Sequence, residues 1–496
     1  MVSIIRGQKL SMKKYVLLGI DFLIVFAALA GFYAFSFGAD TLTQFINPMI
    51  NIDAALTYGR YMYYFLTRSL YSFGILLTDY YKCSWAVFVV CVTLYIYLTQ
   101  ISFLPYLKLN NLMKLGFIFI TSILVVNGLC CEFLMFPEMF VVFGMAFLNA
   151  GLSIYFYSKK KYFFFIFFAV FGCMFYQTSL ITMAIIIAAF IYIEGGYRIT
   201  GKLFIREFVS IAALMLIGVV NILSTSVLKH IGIIEDNTRS IDTAGLKSRL
   251  VIMAHDYKTL LSSGLGLMPK LYLPLILTFL PFIFVIMYGV KNKEYAAIGE
   301  YIFIYIILSI LAFALNMMED TQTGMTPRLV YNFYTVQVAM ILIAIKYISE
   351  FDYGTNVLCL FTGIYLMAQL FSCTMISQNR RLSNEIDLMN AEIIIEAIEN
   401  YENETGNKIK YIATYQDSVY TQTYPNVHYH VGAINEKSLG LVTYSLIRYV
   451  SGDDELRKAD PDMAVYDEYF KDKDWDCLVP DEQMVFIGDT LHYVAY

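Results

Sequence analysis

Charge is what this chain has least of. Only 15% of its 496 residues are Asp, Glu, Lys or Arg, against roughly a quarter in soluble domains. With 58% hydrophobic residues and a mean hydropathy of +0.61, the composition excludes an ordinary soluble protein and predicts an integral membrane protein. Tryptophan is nearly missing: 2 Trp stand beside 41 Tyr and 39 Phe, an aromatic load suited to packing and interfacial belts. A net charge of −5 offers nucleic acid no basic footprint. The eight cysteines contain no CxxC and no Cys/His metal spacing. Six of them (Cys91, Cys130, Cys131, Cys173, Cys359 and Cys373) lie in apolar runs and read as small buried hydrophobes.

The charge that is present is unevenly placed. From Ser377 to Tyr496 there are 10 basic and 22 acidic residues, leaving 25 basic and 18 acidic in the remainder. This predicts a basic membrane domain over 1–376 joined to an acidic, water-exposed domain over 377–496.

A bilayer core of roughly 30 Å takes about 20 apolar residues per helix. The runs 16–38, 84–104, 115–130, 138–157, 208–228, 271–290, 300–317, 329–345 and 355–375 are candidate spans, and Tyr162–Ile193 is a longer one. The first run is too long in its apolar core for a signal peptide and is read as a retained anchor. Basic residues gather in cytoplasmic loops. Placing Arg6, Lys9, Lys13, Lys14, Lys108, Lys114, Lys159–Lys161, Arg198, Lys202, Arg206, Lys291, Lys293 and Lys346 inside makes the runs alternate on one condition: Tyr162–Ile193 must cross twice. At 1.5 Å per residue it spans roughly 48 Å as one helix, too long for one crossing. A hairpin turning near Gly172–Ser179 meets the need. The expected fold is therefore an α-helical polytopic membrane protein of about eleven crossings, N-terminus cytoplasmic and C-terminal domain extracytoplasmic.

That topology puts four segments on the outer face: Ala39–Cys83, Cys131–Glu138, Lys229–Lys270 and Met318–Arg328. The inner loops are short and basic, so the chemistry is expected outside. In the first segment an interfacial helix is expected after Asp53, with Asp53 as its N-cap and Arg60 returning to the same face seven residues on. Asp53 and Arg60 then either cap and snorkel, or form a base beside an anion-binding cation. Glu132 and Glu138 flank Pro137 in a short turn between apolar spans. Carboxylates at membrane depth are costly and usually functional, whereas in a turn exposed to water they are unremarkable. Arg328 follows Pro327 at the mouth of a late span, where a guanidinium suits bidentate phosphate contacts. Tyr176 and Gln177 at the hairpin tip suit a sugar hydroxyl, or Gln177 satisfies the broken backbone there.

The succession Asp53…Gly59-Arg60-Tyr61, Pro137-Glu138, Phe175-Tyr176-Gln177-Thr178-Ser179, Pro327-Arg328 and a helix from Asn379 to Glu404-Thr405-Gly406 resembles the bacterial Gtr-type glucosyltransferases. These decorate O-antigen and related surface glycans and belong to the GT-C class of lipid-donor membrane enzymes. In place of a clean Asp-x-Asp in the first loop, Asp40 and Asp53 stand 13 residues apart. The resemblance implies a GT-C-like membrane domain that moves a sugar, glucose by analogy, from a polyprenyl-phosphate-linked donor to a surface glycan outside the bacterial cytoplasmic membrane. A carboxylate base is implied among Asp53, Glu138, Glu132 and Asp40. Arg60 and Arg328 would hold the departing phosphate, with Tyr61, Tyr176 and Gln177 on the substrate. A single inverting displacement is expected, with no metal or other cofactor.

The C-terminal segment predicts a small α/β domain. Leu382, Ile386, Met389, Ile393, Ile394 and Ala397 make one helical stripe that stops at Thr405-Gly406, and KIKYIATY and MVFIGD read as strands. Two rival functions remain. A membrane acyltransferase would want a His at membrane depth, and all five His fall outside the spans. A lipid-linked glycan flippase or transporter would show midplane charge and repeats; the sequence has no repeat, and Asp21 is its one clear intraspan charge.

Overall fold

A bilayer offers backbone N–H and C=O groups no partners, so spanning segments must satisfy their own as helices. The computed structural model describes residues 2–234, 246–318 and 325–496. Its helices in chain order are α1 (Val2–Leu29), α2 (Ala39–Ile46), α3 (Pro48–Thr57), α4 (Tyr61–Ser72), α5 (Tyr81–Phe103), α6 (Asn111–Ser122), α7 (Phe140–Ser158), α8 (Tyr162–Phe175), α9 (Thr178–Glu194), α10 (Gly201–His230), α11 (Leu246–Ser263), α12 (Leu273–Asn292), α13 (Tyr295–Met318), α14 (Pro327–Val330), α15 (Asn332–Ile348), α16 (Gly354–Thr405) and α17 (Thr443–Ser451). Among the described residues eight helical stretches are long and apolar enough to cross a membrane, and α6, α8 and α9 are shorter apolar helices. This is the architecture of a polytopic helical membrane protein.

The chain divides into two compact units. The first holds the residues up to Ala34, Ile52–Leu134 and Glu138–Met375; the second holds Phe35–Asn51, Met135–Pro137 and Ile376–Tyr496. Most of the second unit thus follows Ile376, and two short segments that precede it in sequence belong to it as well.

Within the first unit, burial separates core from periphery. The stretch Pro327–Ile348 is 89% buried and Gly201–His230 only 17%, so α15 is central and α10 turns most of its apolar surface outward. The long run after the lysine triplet does break in two. α8 and α9 are joined at Tyr176-Gln177, and Tyr176 is extended (φ −157°, ψ 120°). Lys160, just before α8, lies 3.5 Å from Glu194, the last residue of α9. The two helices therefore double back, and their far ends meet.

Three local expectations meet the structure here. The interfacial helix expected after Asp53 is two helices, because α3 begins at Pro48 and ends at Thr57; Asp53 is exposed in mid-helix and is not the N-cap of α3. Of the two readings of the Cys131–Glu138 turn, the buried one holds: it forms two 3-10 stretches, Leu129–Met135 and Pro137–Met139, in which Glu132 and Glu138 are 0% and 2% exposed. The Lys229–Lys270 loop carries α11; its residues 235–245, and residues 319–324 of the Met318–Arg328 segment, lie outside the described residues. All eight cysteines are free, with Cys83 and Cys477 exposed.

In the second unit β1 (Tyr411–Gln416), β2 (Arg457–Ala459), β3 (Met484–Ile487) and β4 (Thr490–Ala495) form a sheet in the order β2-β1-β4-β3. β1 pairs parallel with β2 and β4, and β4 pairs antiparallel with β3. Leu446 and Ile447 of α17, Ala391, Ile394 and Ile398 of α16, and Ile412 of β1 share one core. The end of α16 follows its sequence signal, with Gly406 in the left-handed region (φ 74°). Polar groups hold this unit as well. Asp387 accepts from Tyr424 Oη (2.7 Å) and from the backbone N–H of Ser438 and Leu439.

Leu446 is fully buried, so Leu446→Ala is expected to destabilise the second unit by about 2–5 kcal/mol. The chain's 2 Trp make this readable, because in a Trp85→Phe background Trp475 alone reports on this unit. An unchanged Trp475 unfolding midpoint would contradict the core placement.

Candidate functional site

The break between α3 and α4 has a defined geometry. The N–H of Arg60 donates to Ala55 O (2.8 Å) and that of Gly59 to Leu56 O (3.0 Å), the paired bonds of a Schellman helix ending. Gly59 supplies the left-handed residue that ending needs (φ 69°). The carbonyls left over at such a break require donors, and other helices supply them. Gln177 Nε2 donates to Tyr58 O, and Asn221 Nδ2 donates to Gly59 O at 2.8 Å. Tyr61 Oη is within 2.7 Å of Ser224 Oγ and 3.0 Å of Thr225 Oγ1. The break at Tyr176-Gln177 thus closes the break at Tyr58–Arg60, with α10 clamping the second from one side.

That clamp fixes Arg60. Its guanidinium lies 4.9 Å from the Tyr176 ring and 5.3 Å from the Tyr58 ring, a doubly aromatic setting favourable to a cation. The side chain is half-buried, and its Nε is buried with no hydrogen-bond partner among the described residues. Burial pushes the guanidinium pKa down, the ring of Tyr176 opposes this, and the charge of Arg328 adds to the depression. Two guanidiniums within electrostatic reach, one with an unmatched donor, make a setting that an anion would relieve.

Glu132 is already engaged. The backbone N–H of Arg328 donates to its Oε2 at 2.6 Å, and Arg328 Nη1 lies 3.5 Å from Oε1. The carboxylate therefore caps the start of α14, where Pro327 has removed one donor, and pairs with the same residue's guanidinium. Glu138 is buried six residues further along the same turn. Beside them Phe133 packs edge-on to Tyr176 (5.7 Å) and Tyr331 (5.3 Å). A cavity of about 10 Å³, room for one water, is lined by Phe133, Phe143, Tyr176, Thr178, Ser179 and Tyr331.

Of the residues singled out in the sequence, Arg60, Tyr61, Tyr176 and Gln177 meet at the paired breaks, and Glu132 and Arg328 meet each other. Asp53 is exposed on α3 rather than sharing a helix face with Arg60. Asp40 belongs to the second unit, exposed in the first turn of α2. Sequence reading missed Tyr58, Asn221, Ser224 and Thr225. The signal for the last three was present: an Asn, a Ser and a Thr at i, i+3 and i+4 share one helix face inside an otherwise apolar run.

No protein-family model, curated protein or solved structure matches the chain.

The Gly59 clamp is testable. A Cβ on Gly59 would stand 2.5 Å from Asn221 Oδ1, whereas Gly74, with a similar φ of 74°, has open space around it. Gly59→Ala should cost about 1–3 kcal/mol or more through strain and displacement of Asn221, and Gly74→Ala distinctly less. Equal thermal shifts for the two variants would contradict the clamp.

Proposed function

We propose that the chain is a glycosyltransferase that moves a sugar, glucose by analogy with the family it resembles, from a polyprenyl-phosphate carrier to a surface glycan on the extracytoplasmic side of the bacterial membrane. One observation carries this reading: the half-buried Arg60, held between Tyr58 and Tyr176 with an unmatched Nε, in reach of the charge of Arg328. Such a group in an apolar protein suits the phosphate of a lipid-linked donor. Nucleotide sugars are not expected outside the cytoplasm, so a membrane-borne donor fits that side.

The residues take these roles. Arg60 binds the donor phosphate and stabilises the charge that grows on it as the bond from sugar C1 to phosphate oxygen breaks. The acceptor hydroxyl attacks C1 from the opposite face, and its proton passes to a carboxylate. Glu132 is held by Arg328 and acts as a positioning residue. With Asp53 exposed and Asp40 in the other unit, Glu138 is assigned as the base. Tyr176 and Tyr61 line the approach, and Gln177 holds the turn that carries Arg60. The products are the inverted glycoside and polyprenyl phosphate.

A second reading has its own observation. Asp21 is fully buried in α1, accepts from Gln100 Nε2 at 2.9 Å and leaves Oδ2 without a partner among the described residues. Gln100 also donates to Thr121 Oγ1 at 2.8 Å. An intramembrane carboxylate of this kind suits a transporter.

Both readings meet one experiment, transfer from polyprenyl-phosphate glucose by the purified protein together with the sugar composition of the surface glycan in cells. Arg60→Gln and Glu138→Gln should each lower transfer by roughly 10²-fold or more, and Asp21→Asn should leave it near wild type. No transfer by the purified protein, with the glycan's added sugar lost in Asp21→Asn cells and kept in both site variants, would favour the transporter.

A further inference from the structure

The basic end of α10 borders a second concavity. Between α8 and α10 lies a cleft of about 560 Å³, lined by Tyr162, Phe165 and Ile166 on one side and Leu203, Arg206 and Val209 on the other. Tyr157 Oη and Ser210 Oγ, 2.9 Å apart, satisfy each other at its floor, so the interior is apolar in effect. The size lies within the range of roughly 300–1,000 Å³ usual for small-molecule sites. The neighbouring helix faces are exposed and apolar, with Phe163 75% and Phe208 66% accessible. In a membrane protein such faces meet lipid chains, and a dry cleft between them is filled by one.

The rim carries charge. Lys202 is exposed and lines the cleft beside Arg206. Glu194 accepts Arg206 Nη2 at 2.8 Å and also meets Lys160 at 3.5 Å, so one carboxylate serves two cations. Arg206 Nε is buried with no hydrogen-bond partner among the described residues. Lys159, Lys160 and Lys161 precede α8 at the same end, and Glu207 is the one acidic residue in this part of α10. The balance favours a phosphate that carries a net negative charge.

We propose that this cleft is a binding site for an anionic glycerophospholipid, with one acyl chain between α8 and α10 and the headgroup phosphate on Lys202 and Arg206. The occupant is distinct from the sugar carrier of the proposed reaction. Arg206 and Asn221 are 15 residues apart on α10, so the rim lies about 22 Å along that helix from the Arg60 turn. A single phosphate cannot serve both places. The lipid instead seats α8, the outward half of the hairpin whose other end carries Tyr176 and Gln177.

The test uses the full chain in nanodiscs of mixed phosphatidylglycerol and phosphatidylcholine, with a photoactivatable acyl chain on one lipid or the other. Labelled peptides are mapped by mass spectrometry, so the readout is independent of any transfer activity. Peptides covering 157–166 and 203–213 should be labelled more by the phosphatidylglycerol probe than by the phosphatidylcholine probe. Lys202→Gln should lower that labelling by about fivefold, the weight of roughly one cation facing an anionic lipid. Ala213→Phe, which narrows the cleft without touching the rim, should lower labelling by both probes. Equal labelling by the two lipids, or labelling indifferent to both variants, would overturn the proposal. So would displacement of the phosphatidylglycerol probe by an equimolar amount of polyprenyl phosphate, which would make the cleft a carrier site.

Discussion

A helix break closed by a second break is the constraint on which the Arg60 site depends. A chain that stops being helical in an apolar environment leaves carbonyls without donors, at a cost of several kcal/mol for each if nothing reaches them. Here Tyr58 and Gly59 expose carbonyls at the end of α3, and Gln177 and Asn221 deliver amides to them. Gln177 can do so only because α8 ends at Phe175. The break after α3 is satisfied because the break after α8 exists, and the two place Arg60 against Tyr176.

The same logic governs the carboxylates. Glu132 and Glu138 stand in a turn whose sequence fits either water or the protein interior, and both are buried. A buried charge survives when it is paired and hydrogen-bonded, and Glu132 is both, through the backbone and the guanidinium of Arg328. It joins the turn after α6 to the entry of α15, a helix buried along nearly its whole length. Its two contacts to Arg328 also tie these two segments together.

Much of this was legible in the sequence. Apolar run lengths located the helices, and the lysine pattern required that Tyr162–Ile193 fold back, as the approach of Lys160 to Glu194 bears out. The breaker Tyr176-Gln177 lay inside the stretch predicted to turn. What was not legible came from tertiary contact. The segment from Asp53 onward has helical composition throughout, and only the fit of Gly59 beneath Asn221 and Thr225 shows why it stops there. The continuity of α16 past Ser377 was hidden by the switch from apolar to acidic composition, which changes the surroundings of a helix but not its backbone. Strand β2 is only three residues long, and β4 lies behind the Gly488-Asp489 turn, which the expected strand MVFIGD absorbed.

The central claim is that the paired breaks build an anion site at Arg60. Equilibrium binding of polyprenyl phosphate to the purified chain in nanodiscs, measured for wild type, Arg60→Gln and Gln177→Ala, tests it most directly. The account predicts saturable binding that is lost in Arg60→Gln and weakened in Gln177→Ala while both variants remain folded. Binding unchanged in Arg60→Gln would contradict it.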